Sequence, residues 1–146
     1  MSKISELVKF AKTDTTNFYQ EINFGIIPNF QAQTIASQTG VIVKGAKRYL
    51  STIGIRHAIT GHSNHKLESE RGQIGITDTD FENIPDILNN YQQFERGNKH
   101  RNGSLESVVF IKTIGHKEYH IAMSINKSKE NLKLVFSTMF IKNKSR

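Results

Sequence analysis

The last third of the chain contains three consecutive runs of β-branched and aromatic residues, and this pattern constrains the fold more than any other. The runs cover residues 107–114, 117–125 and 132–141. Residues of these types favour strands, and Gly, His and Asn residues separate the runs. Because short links of this kind join antiparallel strands, the sequence predicts an antiparallel meander at the C-terminal end.

Apolar residues upstream of the meander mostly follow helical spacing. The expected helices cover residues 5–12, 31–38, 46–58 and 79–91, where Thr79 and Glu82 match a capping box. Strands are expected at 21–27 and 41–43, and loops at 62–73 and 95–104. Helices therefore come first and the sheet comes last, which is typical of an α+β protein.

Positive charge is concentrated in the same third as the meander. The protein has 20 Lys and Arg against 13 Asp and Glu, a formal net charge of +7. Residues 96–146 hold 11 of the basic residues and three acidic ones, whereas residues 1–95 are almost neutral. Contact between basic side chains and phosphates releases counterions, so a nucleic-acid partner is expected. The simpler interpretation is a soluble, Lys-rich surface.

Several classes of protein are excluded by what the sequence lacks. The chain has no cysteine, which excludes a disulfide framework, thiolate zinc sites and a cysteine nucleophile. It has no HExxH, P-loop, Gly-x-Gly-x-x-Gly or Gly-x-Ser-x-Gly motif. No apolar run approaches the length of a membrane span, and the first residues do not form a signal peptide. We therefore expect no membrane contact, and a cytoplasmic location in the producing or target cell.

Histidines are the most informative candidates for chemistry. His57 lies near the end of the third predicted helix, and His62 and His65 follow in the predicted loop. His57 continues an apolar stripe with Leu50 and Ile53, so it is expected to face the sheet rather than water. The simpler interpretation of His57 is a buried structural histidine or a cation at the helix C-terminus. A site formed by the three histidines fits no usual zinc spacing, and we expect no metal and no cofactor.

Two meander strands carry polar side chains inside apolar runs. Lys112 interrupts the first strand, which is unfavourable unless its amine reaches water or an anion. Thr138 lies in the last strand, where the period of two places it on one face with Phe136, Phe140 and Lys142. These positions are candidates for phosphate contacts, although threonine is also an ordinary strand former.

Side chains of these types match the requirements of RNA cleavage without a metal ion. The reaction needs a base for the 2′-hydroxyl proton, an acid for the leaving 5′-oxygen, and groups that stabilise the pentacoordinate phosphate. Histidine titrates near neutral pH and can act as base or acid, while lysine and threonine can bind phosphate oxygens. The residues therefore favour a small ribonuclease.

Three stretches of the sequence together resemble a known group of nucleases. They read GVIVKGAKRYLSTIGIRHAITGH at residues 40–62, ITDTDFENIPDILNN at 76–90 and FSTMFIK at 136–142. In this order they resemble phage-associated nucleases of the barnase–EndoU–colicin–RelE superfamily, which often occur as toxin domains. The resemblance implies N-terminal helices packed on a C-terminal antiparallel sheet of about four strands. Residues 1–146 would then form one domain, with residues 1–20 as an N-terminal helical extension.

The resemblance also implies an activity and a set of site residues. The activity is a metal-independent endoribonuclease, often acting on tRNA through a cyclic phosphate. By position, the resemblance assigns catalytic roles to His57, His62 and Thr138. It makes Arg56 and Lys142 phosphate contacts, and the basic sheet adds Lys112 and Tyr119 as expected substrate contacts.

Two other functions are compatible with the same residues. A non-catalytic nucleic-acid-binding module would use the basic third for phosphates and Phe110, Tyr119 and Phe140 for stacking on bases. A protein-interaction domain would present its basic face to an acidic partner, such as an immunity or inhibitor protein, and this role is compatible with a nuclease as well.

Overall fold

Helices and strands alternate in the first part of the chain, and strands dominate after it. The computed structural model describes residues 3–13, 19–97, 106–127 and 132–144. The helices are α1 (Lys3–Thr13), α2 (Asn29–Thr39), α3 (Thr52–His62), α4 (His65–Glu70), a 3₁₀ helix (Asp78–Asn83) and α5 (Ile84–Asn89). The strands are β1 (Glu21–Ile26), β2 (Lys47–Ser51), β3 (Gln73–Ile74), β4 (Gln93–Arg96), β5 (Ser107–Ile114), β6 (Lys117–Lys127) and β7 (Leu132–Asn143). Within these described residues, none of the helices has the length and apolar character needed to cross a bilayer.

The seven strands of the described residues belong to one mixed sheet. The fold class is α+β as predicted, but the expectation of about four antiparallel strands is wrong. The strand order is β1-β2-β7-β6-β5-β4, and β3 also pairs with β7. Strands β2 and β7 are parallel, whereas the other pairs are antiparallel. Strand β7 therefore lies at the centre, with β6 on one side and β2 and β3 on the other.

The predicted meander is confirmed. Strand β5 has the predicted bounds, and β6 and β7 each extend two residues beyond the prediction at their C-terminal ends. Phe110 pairs with Ile121, and Tyr119 pairs with both Lys112 and Ile141, so the three strands form one antiparallel meander. Apolar cross-strand pairs such as Val108–Met123, Phe110–Ile121 and Ile121–Met139 join these runs, so local propensity and tertiary structure agree here.

The helix predicted over residues 46–58 is wrong in its first half. Residues 47–51 form β2, and its backbone pairs with residues 133–135 of β7, 86 positions away in the sequence. Helix α3 begins only at Thr52, after Ser51 has accepted a hydrogen bond from the Gly54 N–H as N-cap. Pairing with a distant strand overrides the local helical pattern. The helix also continues through His62 rather than ending near residue 58.

Four other local predictions are also corrected. The loop expected over 62–73 contains α4, whose N-cap Asn64 accepts from the Leu67 N–H. Residues 41–43 are not a strand, although Val41 and Val43 are buried. The capping box is formed by Thr77 and Asp80, and it opens a 3₁₀ helix that precedes α5. The loop expected over 95–104 partly becomes β4, and residues 98–105 lie outside the described part of the chain.

The core lies between one face of the sheet and the helices. This covered face carries Val108 and Phe110 of β5, Tyr119, Ile121, Met123 and Ile125 of β6, and Leu134, Phe136, Met139 and Ile141 of β7. Apolar side chains of α1, α3, α5 and the 3₁₀ helix belong to the same core. The residues that alternate with these strand positions point to the opposite side, here called the second face.

A β-bulge in β7 changes which residues share the second face. Ala122 pairs with Thr138 and Met123 pairs with Phe136, so Ser137 is the extra residue. Its hydroxyl donates to the Ala122 carbonyl at 3.0 Å. The strict alternation predicted for this strand is therefore wrong at Phe136, which is buried in the core. Val135, Thr138, Phe140 and Lys142 share the second face instead.

Candidate active site

A cleft opens where helix α3 meets the second face of the sheet. Its volume is about 390 Å³, within the range typical of ligand pockets. Its walls come from the segment around β2 and α3 on one side and from β6 and β7 on the other. The lining residues are Tyr19, Ser51, Ile53, Gly54, His57, Ser124, Asn126, Val135, Phe136 and Ser137.

The close approach of α3 to β7 depends on Gly54. A Cβ atom at this position would overlap the backbone oxygen of Phe136 and lie 2.7 Å from its Cδ2 atom. Only glycine therefore allows the N-terminal turn of α3 to lie against the central strand. The same turn is fixed by its N-cap Ser51 and by the Thr52 N–H, which donates to the Gln20 carbonyl at 2.9 Å.

His57 lies exposed in the cleft, so the expectation that it faces the sheet is wrong. The apolar stripe that predicted this orientation assumed one helix over 46–58, but Leu50 lies in β2 and Ile53 is 62% exposed. The residues of α3 that do face the core are Gly54, Ile55 and Ala58. Within the described residues the His57 ring makes no hydrogen bond, which leaves both nitrogens available to a ligand.

Further polar groups line the floor of the cleft opposite His57. Ser124 and Asn126 alternate with core residues on β6, so both lie on the second face. Neither side chain is hydrogen-bonded within the described part of the chain. The cleft therefore presents an imidazole, a hydroxyl and an amide that are not committed to internal contacts.

Tyr19 forms one edge of the cleft and is held by a carboxylate. Its hydroxyl donates to Glu21 Oε2 at 2.5 Å, while the side chain stays exposed on its other side. Burial of the hydroxyl, together with this hydrogen bond and the charge of Glu21, raises the pKa of Tyr19 to about 12, against a lowering contribution from Ser51. The phenol is therefore neutral at physiological pH.

His62 is oriented by a buried carboxylate at the end of α3. Its Nδ1 lies 3.3 Å from Glu68 Oε2, and the other oxygen of Glu68 accepts from Arg71 Nη1 at 2.9 Å. The Glu68 side chain is 1% exposed. The His62 ring also contacts Phe140 of β7, with ring centroids 5.9 Å apart. A carboxylate on one imidazole nitrogen fixes the tautomer and the ring plane, as in hydrolase triads.

Thr138 lies on β7 between the parts of the strand that the two histidines approach. Ser137, its neighbour on one side, lines the cleft of His57, and Phe140, two residues further on, contacts His62. Thr138 itself lies on the second face opposite Ala122. Thr138 therefore lies between Ser137 and Phe140, but neither Thr138 nor His62 is among the residues that line the cleft of His57.

Phe140 contacts the imidazole of His120 as well as that of His62, and His120 lies on the second face. The His120 ring stacks on Phe140 with centroids 4.5 Å apart and an angle of 10° between the planes. Its Nε2 lies 2.7 Å from Glu118 Oε1, and Lys144 Nζ lies 3.2 Å from Glu118 Oε2. Burial raises the pKa of Glu118, but the hydrogen bonds from His120 and Lys144 outweigh it, so the carboxyl titrates below its usual range.

The predicted phosphate contacts are divided between the two faces. Lys142 is exposed on the second face, opposite Glu118. Lys112 lies on the covered face, where its amine forms an ion pair with Asp86 at 2.9 Å. Arg56 is half-buried and its Nε donates to the Ala11 carbonyl at 2.9 Å, which ties α3 to the end of α1. Only Lys142 of these three shares a face with the cleft.

Tyr119 does not lie where a base could stack on it. It is 2% exposed on the covered face, and its hydroxyl donates to Asp80 Oδ1 at 2.6 Å. Burial and the adjacent carboxylate raise the pKa of Tyr119 far above its usual range. The expected substrate contact at Tyr119 is therefore replaced by a structural one.

Asp80 is the centre of a buried polar cluster behind Tyr119. Its carboxylate accepts from Tyr119, from Lys117 Nζ at 3.0 Å and from the Thr77 N–H at 2.8 Å. Burial raises the pKa of Asp80, but these three hydrogen bonds lower it by more, so the group is ionised at neutral pH. Lys117 thereby neutralises a carboxylate under the sheet rather than contributing to a basic cleft.

Metal binding by the three clustered histidines has no geometric support in residues 3–13, 19–97, 106–127 and 132–144. No group of three or more His, Asp or Glu side chains in these segments is arranged to hold an ion. His65 instead packs against Gly75, where an added Cβ would meet its ring.

Several residues of the site escaped the sequence analysis, namely Tyr19, Ser51, Glu68, Ser124 and Asn126. Strand alternation in residues 117–125 does place Ser124 on the face of His120, so that signal was available. Tyr19, Ser51 and Glu68 reach the site only through the pairing of β1, β2 and β7 and through α4, none of which has a local signature.

The comparison with protein families gives a match over most of the chain. Residues 25–146 match the model of the family described as phage-Barnase-EndoU-ColicinE5/D-RelE like nuclease3. No curated protein and no solved structure matches the chain. The family match confirms the resemblance drawn from residues 40–62, 76–90 and 136–142. The chain therefore belongs to the phage-Barnase-EndoU-ColicinE5/D-RelE like nuclease3 family.

Proposed function

We propose that the protein is a metal-independent endoribonuclease whose chemistry takes place along β7, between His57 and His62. Membership in a nuclease family supports the reaction class. The observation that carries the proposal is the exposed, uncommitted imidazole of His57 in a cleft that also presents free hydroxyl and amide groups. Histidine is the side chain most often used as a general acid or base, and this ring is accessible to a ligand.

The proposed reaction is attack of a ribose 2′-hydroxyl on the adjacent phosphorus. One histidine accepts the 2′-hydroxyl proton as the new O–P bond forms, and the other donates a proton to the 5′-oxygen as its bond to phosphorus breaks. The products are a 2′,3′-cyclic phosphate and a 5′-hydroxyl end. Either His57 or His62 can be the base, and the contact of His62 with Glu68 suits it to carry positive charge during the reaction.

Stabilisation of the phosphate would come from three kinds of group. The hydroxyl of Thr138 lies on the second face and can donate to a non-bridging oxygen. The N-terminal turn of α3, an 11-residue helix, contributes Ile53 and Gly54 to the cleft lining, so the positive end of the helix dipole lies beside the cleft. Lys142 supplies a cation further along the face.

Cleavage of labelled RNA in the presence of EDTA tests the proposal directly. Wild-type protein should give fragments with cyclic phosphate ends, and a single 2′-deoxy substitution should block cleavage at that position. His57→Ala should lower the rate by roughly 10²–10⁴-fold. His116→Ala is the matched control, because His116 is exposed in the β5–β6 turn on a different part of the surface. Full cleavage by His57→Ala, or activity lost entirely to EDTA, would contradict the mechanism.

The RNA class and the biological role are proposed from the family resemblance and the charge. tRNA is the first substrate to test, and a toxin domain is the expected role, with an acidic inhibitor protein as its partner. Expression of wild-type protein and of His57→Ala in the same host, scored for growth arrest and tRNA fragments, tests both. Salt-sensitive RNA binding without any product would favour a non-catalytic binding module instead.

A further inference from the structure

Two large apolar side chains are exposed at the edge of the cleft. The described residues include six exposed large hydrophobic side chains, and two of them, Tyr19 and Ile53, line this one cavity. Tyr19 is 46% exposed and Ile53 is 62% exposed. Apolar surface is unfavourable in water, so two such side chains beside uncommitted polar groups indicate a ligand with an apolar face and polar edges.

The Tyr19 ring is prepared for stacking. Its hydroxyl is anchored to Glu21 at 2.5 Å, which limits the motion of the ring before a ligand arrives. Because the phenol stays protonated, it adds no negative charge beside a phosphate backbone. An aromatic ring held in this way loses little conformational entropy when a base stacks on it.

The floor of the cleft can recognise the edge of a base. The Asn126 amide has two N–H donors and one carbonyl oxygen that accepts. The Ser124 hydroxyl can donate or accept. Both lie on β6 and line the same cavity as Tyr19 and Ile53. A nucleobase has the matching chemistry, namely an apolar π-face and a polar edge.

We propose that Tyr19, Ile53 and Asn126 form a subsite for one unpaired nucleobase, so the preferred substrate is single-stranded RNA or an unpaired loop. This inference rests on the proposed nuclease function, because it takes the nucleotide next to the scissile phosphate as the occupant. A base in a duplex is stacked and paired, and it cannot enter a cavity of about 390 Å³ without leaving the helix.

Binding of an uncleavable oligonucleotide separates this inference from catalysis. The probe is a short single-stranded DNA with a fluorescent 2-aminopurine, which lacks the 2′-hydroxyl and reports stacking by loss of fluorescence. Wild-type protein should bind it and quench it, and should bind the same DNA less tightly as a duplex. Tyr19→Ala should weaken binding by roughly 5- to 150-fold and remove the quenching. Ile53→Ala should weaken it less, and Asn126→Ala should change the preference among bases.

Phe30→Ala and Ile42→Ala are the matched controls. Both residues are as exposed as the subsite residues but do not line the cavity, so binding should stay unchanged. Ile53→Ala secures the test if Tyr19→Ala fails to fold, because alanine is favourable at an exposed helix position. The subsite would be overturned if the control variants lost as much affinity for the DNA as Tyr19→Ala and Ile53→Ala do. It would also be overturned if neither Tyr19→Ala nor Ile53→Ala lost affinity. Normal binding and quenching with no RNA cleavage would overturn the proposed nuclease function alone.

Discussion

His62 Nδ1 and Glu68 Oε2 lie 3.3 Å apart, and this contact joins the end of α3 to α4. Glu68 is almost completely buried and shares its second oxygen with Arg71. Its partner His62 is 23% exposed in its side chain, so one partner of the pair is fixed in the protein and the other remains accessible. A carboxylate in this position holds the ring rather than reacting itself.

Glu68→Gln should therefore lower kcat by roughly tenfold or more. This loss should be smaller than the loss of about 10²–10⁴-fold expected when the catalytic imidazole itself is removed. The amide keeps the shape of Glu68 but removes its charge, so KM should change little. Glu70→Gln is the control, because Glu70 is exposed in the same short helix. In a His62→Ala background, Glu68→Gln should have no further effect on kcat, and an additive loss would show that Glu68 does not act through His62.

Lys142→Ala should weaken RNA binding and Lys112→Ala should not. The first residue is exposed on the second face, and the second is paired with Asp86 on the covered face. Removal of one phosphate contact on a single strand lowers the slope of log K against log salt by about 0.7. The measurement is binding of a single-stranded oligonucleotide over a range of salt concentrations. Equal slopes for Lys142→Ala and wild-type protein would place the RNA elsewhere.

Gly54→Ala should destabilise the protein by roughly 1–3 kcal/mol, because the added methyl group would overlap the Phe136 backbone and move α3 away from β7. Activity should fall with it, since the helix forms one wall of the cleft. Gly61→Ala in the same helix should instead stabilise the protein by about 0.5–1 kcal/mol, because its added Cβ meets nothing within 4 Å. Thermal unfolding of the two variants, measured side by side, checks both signs.

Asp80→Asn should lower the free energy of unfolding by roughly 1.5–3 kcal/mol at neutral pH. Because the pKa of Asp80 is lower in the folded protein than the unfolded value of about 3.9, its contribution is present above that pH and is lost as the pH falls through the folded pKa. The variant should therefore lose less stability on acidification than wild-type protein does. Urea unfolding at several pH values between neutral and about 3 measures this difference.

Asp86→Asn is the control for this experiment. The pKa of Asp86 is also lowered, chiefly by the hydrogen bonds from Lys112 and Asn90, but the group is exposed and solvent screens its charge. Its effect on stability should be much smaller and should decrease in high salt. If Asp86→Asn lowered the free energy of unfolding as much as Asp80→Asn does, the buried polar cluster around Asp80 would stabilise the protein no more than an exposed ion pair.

The sequence was most informative where local and distant interactions favour the same structure. Strands 107–114 and 117–125 have their partners next in the chain, and their predicted bounds are nearly those observed. Residues 47–51 show the opposite case, since their helical pattern gives way to pairing with β7. That pairing could not be derived from a local window, because both its partner and its direction are set far along the chain.

The candidate site was predicted in part, for the same reason. His57 and His62 were identified by residue type, but the orientation of His57 was wrong because Leu50 belongs to a strand. The faces of β7 were wrong because Ser137 forms a bulge, and one extra residue reverses the alternation on either side of it. Glu68 was overlooked because α4 was expected to be a loop. In each case the backbone of one short segment differed from the prediction, and this changed the surroundings of several side chains.

The central position of β7 has a consequence for how the molecule is made. This strand follows the other six in the described part of the chain, yet β2, β3 and β6 all pair with it. A ribosome-bound chain that has not yet released residue 143 lacks the strand that joins the two halves of the sheet, and one wall of the cleft with it. The cleft beside His57 can therefore form only after residue 143 has left the ribosome.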